Sequence, residues 1–244
     1  MWPFPRIVAH RGGGKLAPEN TLAAMRCGLA HGFHAVEFDV MLSKDGVPVV
    51  IHDPDFGRTI AGTGRVSDCT AQELAAMDAG SWFGPAFSAE KVPTLAQVVN
   101  FCIENRIWMN IEIKPAPGFD EQTGRVVAAW SRRRFANEPV LPLFSSFSFA
   151  ALAAAQSEAP GISRGYLVEI IPPDWRQRLD ALDAIALHTD QESLSLPLAR
   201  AIKDAGFGLF CYTVNDPARA REILAWGVDA FCTDRIDLIG ADFA

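Results

Sequence analysis

The sequence predicts an α/β protein whose strands close into a (β/α)8 or TIM barrel. Short apolar runs alternate about eight times with amphipathic segments, and the runs are too apolar to face water on either side. The chain has 244 residues, a length typical of one such barrel. Strands of this kind indicate a parallel sheet covered by helices, and the length favours a closed barrel over an open doubly wound sheet.

The strands are predicted from short runs rich in apolar and β-branched residues, each bounded by polar or glycine-containing segments. In chain order they cover residues 6–10, 35–42, 47–53, 107–113, 140–146, 163–169, 184–188, 207–214 and 229–234.

The helices are predicted from apolar residues spaced three or four positions apart and from the residues at their ends. Asn20 is the candidate N-cap of the first helix, Thr94 and Gln97 form a capping-box pair, and Asp216 is expected to cap the last helix. The predicted helices cover residues 20–32, 94–106, 120–135, 148–157, 174–182, 196–205 and 217–227.

Residues 54–92 do not follow the alternation, because they are rich in glycine and contain no clear strand. A long irregular segment in a compact domain is usually functional. We expect a small cap inserted after the second strand, within a single domain that covers residues 1–244. Trp82, Phe83 and Phe87 in this insert either line the mouth of a site or pack the insert onto the barrel, and the sequence leaves both possibilities open.

Composition excludes several classes of function. The net charge is −7, without a long basic stretch, so nucleic-acid binding through a basic surface is not expected. The five cysteines contain no C-x-x-C pair, which indicates reduced thiols. The first residues do not read as a secretory signal and no window is apolar enough to span a membrane, so we expect a cytoplasmic protein without stable membrane association. The sequence does not indicate an oligomeric state.

Charged side chains and histidines lie where several predicted strands end, the end of such a barrel that carries chemistry. His10 and Arg11 end the first strand. Glu37 and Asp39 share one face of the second strand, with Phe38 on the other, because alternate residues of a strand point to the same side.

The next β-like run ends at His52, and the strand after it carries a second charged pair. Glu112 and Lys114 share one face of that strand, with Ile111 and Ile113 opposite. The apolar residues between the charges indicate genuine strands, so we expect the charged side chains to meet at one end of the barrel.

The three carboxylates, Glu37, Asp39 and Glu112, would repel one another at close range. One divalent cation would relieve this repulsion, and an all-oxygen ligand set points to Mg²⁺ or Ca²⁺, with Mn²⁺ also suitable. The alternative is an ion-pair network in which Arg11 and Lys114 neutralise the acids. Two histidines beside the three acids favour the cation.

His10 and His52 are candidates for an acid–base pair, because imidazole titrates near neutral pH. His188 ends a later strand and is a weaker candidate. Arg11 suits a phosphate, which it can bind by two hydrogen bonds, and the glycines at 12–14 are expected to let the backbone approach an anion and to offer N–H groups. This run matches neither the P-loop nor the dinucleotide-binding pattern.

These motifs resemble, in order and spacing, those of the glycerophosphodiester phosphodiesterase family, and the resemblance covers essentially the whole chain. One difference is Tyr212, where many members have tryptophan. The matching stretches are AHRGGGKLAPENT (9–21), EFDVMLSKDGVPVVIHD (37–53), NIEIKP (110–115), YTVN (212–215) and GVDAFCTD (227–234).

The resemblance implies a (β/α)8 barrel with an insertion after the second strand, and a role for each candidate residue. It implies that Glu37, Asp39 and Glu112 hold the divalent cation, that His10 and His52 are general acid and base, and that Arg11 and Lys114 contact the phosphate.

The reaction that the resemblance implies is metal-dependent hydrolysis of small glycerophosphodiesters, such as glycerophosphocholine or glycerophosphoethanolamine, to sn-glycerol 3-phosphate and an alcohol. It would pass through a cyclic phosphate formed by the glycerol 2-hydroxyl. Two alternatives stay open: a phospholipase D-like or C-like barrel acting on intact lipids, and a barrel that binds phosphodiesters without turnover.

Overall fold

Eight parallel strands form a closed barrel in the computed structural model, which describes residues 2–244. Each barrel strand pairs with the next one along the chain, and the last pairs back with the first, so the predicted (β/α)8 barrel is confirmed. The strands are β1 (Ile7–Ala9), β2 (Ala35–Leu42), β3 (Pro48–Val50), β4 (Trp108–Ile113), β5 (Leu143–Ser146), β6 (Arg164–Val168), β7 (Ala186–Asp190), β8 (Gly208–Tyr212) and β9 (Ala230–Thr233).

The helices cover the outside of the barrel, and their ends follow the predicted capping residues with one exception. Thr94 and Gln97 form the predicted capping box, and the Asp216 side chain accepts a hydrogen bond from the backbone N–H of Ala218. The helices are α1 (Leu22–Ala30), α2 (Ala71–Leu74), α3 (Leu95–Glu104), α4 (Asp120–Arg134), α5 (Phe149–Glu158), α6 (Trp175–Ala181), α7 (Leu196–Asp204) and α8 (Pro217–Ala225).

The exception is the first helix, whose N-cap is Thr21 and not Asn20. The Thr21 hydroxyl accepts a hydrogen bond from the N–H of Ala24, at 3.2 Å. Asn20 has a left-handed backbone with φ of 59°, and its side chain turns into the barrel end instead. Asparagine tolerates both situations, so residue type alone did not separate them.

Alternating residues of each strand separate two hydrophobic layers. Phe38 and Ile111 are fully buried between the sheet and the helices. Val8, Trp108 and Phe210 belong to a separate cluster on the other face of the strands, inside the barrel. The alternation predicted around the charged residues is therefore present, and it directs their side chains toward the barrel interior.

The predicted β-like run at 47–53 is not a barrel strand. Its ordered part, β3, pairs antiparallel with the end of β2, with Val50 opposite Val40. β2 thus continues beyond the barrel rim, and β3 returns along it toward the rim. His52 follows directly after this return, which explains how a residue outside the ring reaches the barrel mouth.

The pairing between β1 and β2, which closes the barrel, is short. These strands share a single register pair, Ala9 opposite Val36, whereas β2 and β4 share six. We call the junction between β1 and β2 the barrel seam.

The insert at 54–92 forms a small unit with its own apolar cluster, built around Ile60, Val66 and Leu74 together with Met41 and Val49 from the hairpin. It contains the short helix α2 and two 3-10 turns. Among the described residues 2–244, no helix is both long and apolar enough to cross a membrane.

Candidate active site

The carboxyl end of the barrel brings the predicted site residues together around one cavity of about 220 Å³. Asp39 is buried directly beside it, with one carboxylate oxygen 3.4 Å from the ammonium of Lys114. The predicted residues that line the cavity are His10, Arg11, Glu37, His52, Glu112 and Lys114, and His188 lies deeper in its wall.

Glu37, Asp39 and Glu112 form a tight acidic cluster. Each offers an oxygen that lies within 4.8 Å of the other two, and all three side chains are buried. Burial and the neighbouring carboxylates of Asp39 and Glu112 raise the pKa of Glu37 well above its usual range. Burial and Asp39 raise the pKa of Glu112 in the same way.

Arg11 and Lys114 flank this cluster without neutralising it fully. Burial would raise the pKa of Asp39, but these two cations outweigh burial and lower it. Their nitrogens lie 3.6 Å and 3.4 Å from the Asp39 oxygens, which is longer than a good charge-assisted hydrogen bond.

One oxygen of Glu37 supports a cation site in this cluster. Glu37 Oε1 is buried and has no hydrogen-bond partner within residues 2–244, the part of the chain that the structure describes. Three buried carboxylates, one of them incompletely paired, are the donor set of a hard divalent ion. The cluster therefore fits a metal site better than a completed ion-pair network.

His10 is held by Asp234, the residue that follows β9. Nδ1 of the imidazole lies 2.6 Å from Asp234 Oδ1, and Asn215 donates to the other oxygen of that carboxylate at 3.0 Å. Burial would raise the pKa of Asp234, but the hydrogen bond from His10 helps to lower it to about 2. The ionised carboxylate can only accept, so Nδ1 carries the proton and Nε2 is left for chemistry.

His52 is held in the same way by the adjacent residue. Nδ1 lies 2.6 Å from Asp53 Oδ1, and Lys114 donates to Nε2 at 2.8 Å. Burial lowers the pKa of His52. The imidazole is therefore neutral, with the lone pair of Nε2 on the cavity side.

A chain of ion pairs links the two halves of the site, and the sequence analysis missed it. Arg58 of the insert donates to Asp53 at 2.6 Å and binds both oxygens of Glu19 at 2.6 and 2.7 Å. Glu19 also accepts from Arg11 at 2.7 Å. Glu19 and Asp53 lie in the conspicuous stretches PENT and HD. Sequence spacing alone does not show which charged loop residues form ion pairs with one another.

Asn20 is a second residue whose role the sequence analysis missed. Its side-chain amide donates to Asp39 at 2.8 Å and accepts from the Asp39 backbone N–H at 3.2 Å. It thereby fixes the position of one acid of the cluster.

The structure gives the glycines at 12–14 a packing role, and the anion-binding role expected from the sequence stays a prediction. The N–H groups of Gly12 and Gly14 are used within the loop, bonded to the carbonyls of Ala9 and His10. A Cβ on Gly14 would lie 2.2 Å from the carbonyl oxygen of Asp234. The glycines therefore let the loop pack tightly beside β9.

Three aromatic side chains line the cavity: Phe147, Phe210 and Tyr212. Phe147 and Tyr212 pack edge to face with ring centres 5.7 Å apart. Trp82, Phe83 and Phe87 do not appear among the residues that line the cavity. They pack edge to face on one another within the insert. Of the two readings left open for them, packing is the one that these contacts favour.

A larger cavity of about 760 Å³ lies at the amino end of the barrel strands, beside Phe4 and Trp108. Its wall has no part of the acidic cluster and neither of the two carboxylate-held histidines. Barrel proteins carry their chemistry at the carboxyl end, so we place the candidate active site in the smaller cavity.

The fold and this site together define a class: a (β/α)8 barrel with an acidic cluster, two carboxylate-held histidines and two cationic side chains at the carboxyl end of its strands. The model of the glycerophosphoryl diester phosphodiesterase family matches residues 10–238. The chain therefore belongs to this family, as the motifs predicted, and the predicted enzyme class, a glycerophosphodiester phosphodiesterase, is confirmed at the level of the family.

Individual relatives agree over nearly the whole length. A glycerophosphodiester phosphodiesterase of Caldanaerobacter subterraneus is 34% identical over 93% of both chains. The structure of a phosphodiesterase from Oleispira antarctica, in complex with the product sn-glycerol-3-phosphate, matches with a TM-score of 0.88 and 38% identity over 94% of this chain and 93% of that one. A glycerophosphodiester phosphodiesterase from Agrobacterium tumefaciens matches with a TM-score of 0.80 and 32% identity over 96% and 98% of the two chains.

Proposed function

We propose that this protein hydrolyses small glycerophosphodiesters, such as glycerophosphocholine or glycerophosphoethanolamine, to sn-glycerol 3-phosphate and an alcohol. The observation that carries the proposal is the gathering of two carboxylate-held imidazoles, two cations and three acids around one cavity. The product bound in the Oleispira relative supports the same substrate class. The proposal takes residues 1–244 as one catalytic domain.

The proposed cofactor is one divalent cation, Mg²⁺, Ca²⁺ or Mn²⁺, held by Glu37, Asp39 and Glu112. When bound, it would polarise the phosphoryl oxygens and offset their charge. Arg11 and Lys114 bind the phosphate from the cavity wall, and Arg11 can do so because its Nε has no hydrogen-bond partner in the described chain, residues 2–244.

The reaction has two steps, each with two proton transfers. Lys114 turns from Nε2 of His52 to the bound phosphate, which frees the lone pair of this nitrogen. The glycerol 2-hydroxyl then attacks phosphorus and gives its proton to Nε2 of His52, the imidazole that burial keeps neutral. The bond from phosphorus to the head-group oxygen breaks, and His10, which must enter this step as the imidazolium, gives that oxygen the proton of its Nε2. Water then opens the cyclic phosphate at the bond to the 2-oxygen, with the two histidines in exchanged roles, and sn-glycerol 3-phosphate leaves.

The test is release of glycerol 3-phosphate from glycerophosphocholine, measured with and without EDTA and after each cation is added back. We expect EDTA to abolish release and add-back to restore it. His52→Ala should abolish release and leave the fold intact, whereas His31→Ala, a change at an exposed histidine, should not alter the rate. Release that persists in EDTA would contradict the metal requirement.

The cyclic step has a separate test. A diester in which hydrogen replaces the 2-hydroxyl lacks the proposed nucleophile and should be inert. Normal turnover of this analogue would show that water attacks phosphorus directly.

A second candidate function, action on intact lipids or lysolipids, has one observation in its favour. Four apolar side chains that lie at or near the carboxyl ends of the barrel strands are exposed: Phe119, Phe147, Phe149 at the start of α5, and Ile170, the last 75% exposed. A rim of this kind is typical of lipid contact. Equal rates on lysophosphatidylcholine and glycerophosphocholine would support it.

We propose the cytoplasm as the site of action, on small dissolved substrates and without nucleic acid or stable membrane partners. All five cysteines are free thiols, which suits a reducing compartment. The net charge of −7 does not favour anionic membranes or nucleic acids.

A further inference from the structure

The inner end of the active-site cavity carries polar groups that the proposed mechanism does not use. They belong to Asn110, Ser145 and His188, which line the cavity and are all at least 98% buried. The Asn110 carbonyl oxygen, the Ser145 hydroxyl and both ring nitrogens of His188 have no hydrogen-bond partner among residues 2–244. We call these three side chains the polar floor.

Strand register places the polar floor at and beneath the acidic cluster. Ser145 lies opposite Glu112 in the pairing of β5 with β4. Asn110 precedes Glu112 by two residues on the same strand face, so it lies one layer deeper in the barrel. The cavity therefore extends from the phosphate-binding side chains at the rim down to these groups.

The position of His188 is built into the fold. Its ring stacks on Phe210 with ring centres 4.5 Å apart and an angle of 18°. A Cβ on Gly165 would lie only 2.2 Å from His188 Nε2, so the ring occupies space that exists because residue 165 is glycine. A polar ring that is fixed and unpaired in a cavity wall points to a polar ligand group, because buried polar side chains are otherwise hydrogen-bonded.

We propose that the polar floor of Asn110, Ser145 and His188 binds the terminal hydroxyl of the substrate's glycerol, the hydroxyl that takes no part in the reaction. This inference rests on the proposed function. With the 2-hydroxyl beside phosphorus, the terminal carbon can extend inward, where its hydroxyl can donate one hydrogen bond to the unpaired groups and accept others from them. The head-group alcohol then points outward, toward Phe147 and Tyr212.

The polar floor predicts which substrates the enzyme accepts. A site built to hydrogen-bond a hydroxyl rejects the analogue that lacks it, because its buried polar groups are left unpaired. The floor therefore selects substrates whose terminal glycerol hydroxyl is free. Lysolipids that carry an acyl chain on this hydroxyl should be poor substrates.

The test compares two ligands that differ only in this hydroxyl: sn-glycerol 3-phosphate and propane-1,2-diol 1-phosphate. Calorimetry measures their dissociation constants without needing turnover. We expect the wild-type protein to prefer glycerol 3-phosphate by about tenfold or more. Ser145→Ala should reduce this preference at least about threefold, and Asn110→Leu provides a second variant in case one change disturbs folding.

The matched control is Ser131→Ala. Ser131 also has a buried hydroxyl without a partner in the described residues 2–244, but it lies on α4 and outside the cavity wall. This variant should keep the wild-type preference. A wild-type preference below about twofold, or an unchanged preference in both floor variants, would mean that the floor holds only water and would overturn the proposal.

The outcome is separate from that of the proposed function. Hydrolysis of glycerophosphocholine tests the function, whereas the ratio of the two dissociation constants tests the floor. Selective binding without hydrolysis would support the floor and reject the function. Hydrolysis of glycerophosphocholine without selective binding would support the function and reject the proposed role of the floor.

Discussion

Each candidate catalytic histidine is one member of a carboxylate–imidazole pair. Asp234 and Asp53 accept hydrogen bonds from Nδ1 of His10 and His52, so both Nε2 atoms face the cavity, where that of His52 accepts from Lys114. The carboxylates orient the rings and select one tautomer, as second partners of catalytic histidines do elsewhere. The two aspartates are positioning residues, since neither lines the cavity.

Asp234→Asn tests this positioning role. An amide in place of the carboxylate permits the wrong tautomer of His10, so we expect kcat to fall about 100-fold or more with little change in KM. Asp237→Asn is the control, because Asp237 pairs with Arg235 near the surface and should not affect kcat. The measurement is steady-state kinetics on glycerophosphocholine. A kcat of Asp234→Asn within twofold of the wild-type value would contradict the positioning role.

The sequence analysis named the side chains that contact the cavity but not those that hold them. Glu37, Asp39 and Glu112 were predictable because strand alternation directs every second residue inward. Asn20 and Asp234 lie in loops, where no repeat period applies and only the fold decides which partner they meet. Their residue types also fit ordinary caps and turns, so composition could not distinguish the roles.

His188 makes stability depend on pH. Burial lowers its pKa to about 3, whereas an unfolded histidine titrates at about 6.5. Below about pH 6.5 the unfolded chain therefore binds a proton at His188 that the folded chain does not bind. The contribution of His188 to the free energy of unfolding is most favourable above this pH and decreases as the pH falls toward 3.

The expected result is a steeper acid profile for the wild type than for His188→Asn. Between pH 6.5 and pH 4.5, the unfolding free energy of the wild type should fall by about 2–3 kcal/mol more than that of His188→Asn. Urea unfolding at several pH values measures it. His31→Asn, at an exposed position, should give a curve parallel to wild type, and a parallel curve for His188→Asn would refute the linkage.

Among the elements, β3 is the one that sequence patterns describe least well. Its residues read as another strand, and they do pair with β2, but antiparallel and outside the ring. A period of two specifies a strand and its faces, but not the direction of its partner. The insert was predicted as a cap, whereas its separate apolar cluster and its salt bridges to the site through Arg58 could not be foreseen.

The contact between α1 and the loop after β1 leads to a prediction about Gly28. Alanine normally stabilises a helix interior relative to glycine by about 1 kcal/mol. Here a Cβ would lie 2.2 Å from the carbonyl oxygen of Gly12. We therefore expect Gly28→Ala to destabilise the protein by about 1–3 kcal/mol in chemical denaturation.

Gly161→Ala provides the matched control. Gly161 is exposed and a Cβ there would meet no atom within 4 Å, so its substitution should change stability by less than about 0.5 kcal/mol. A Gly28→Ala protein as stable as this control would show that the loop and helix can separate at no cost.

For the molecule as a whole, a cation held by the acidic cluster would couple metal binding to folding. A cation that binds only the folded chain stabilises it by about 2.7 kcal/mol at a hundred times its dissociation constant. We expect Mg²⁺, Ca²⁺ or Mn²⁺ to raise the melting temperature by a few degrees, roughly as this free energy requires for a chain of this size, and EDTA to reverse the shift.

Glu37→Gln should lose most of this shift, whereas Glu104→Gln, at an exposed helix position, should retain it. Thermal unfolding followed by circular dichroism provides the measurement. An identical melting temperature with and without cations would exclude the coupling.

The barrel seam has a consequence for how the molecule moves. Its two strands share one register pair, and beyond that pair the backbone N–H of Arg11 crosses to the Glu37 carboxylate at 3.2 Å. Because this joint has the fewest register pairs in the ring, we expect it to open most readily, and the candidate site residues lie beside it. A ligand that contacts both Arg11 and Glu37 bridges the two strands and should suppress local opening at the seam. Ligand binding should therefore slow amide hydrogen exchange at Ala9 and Val36 more than on the opposite side of the barrel, around β6 and β7.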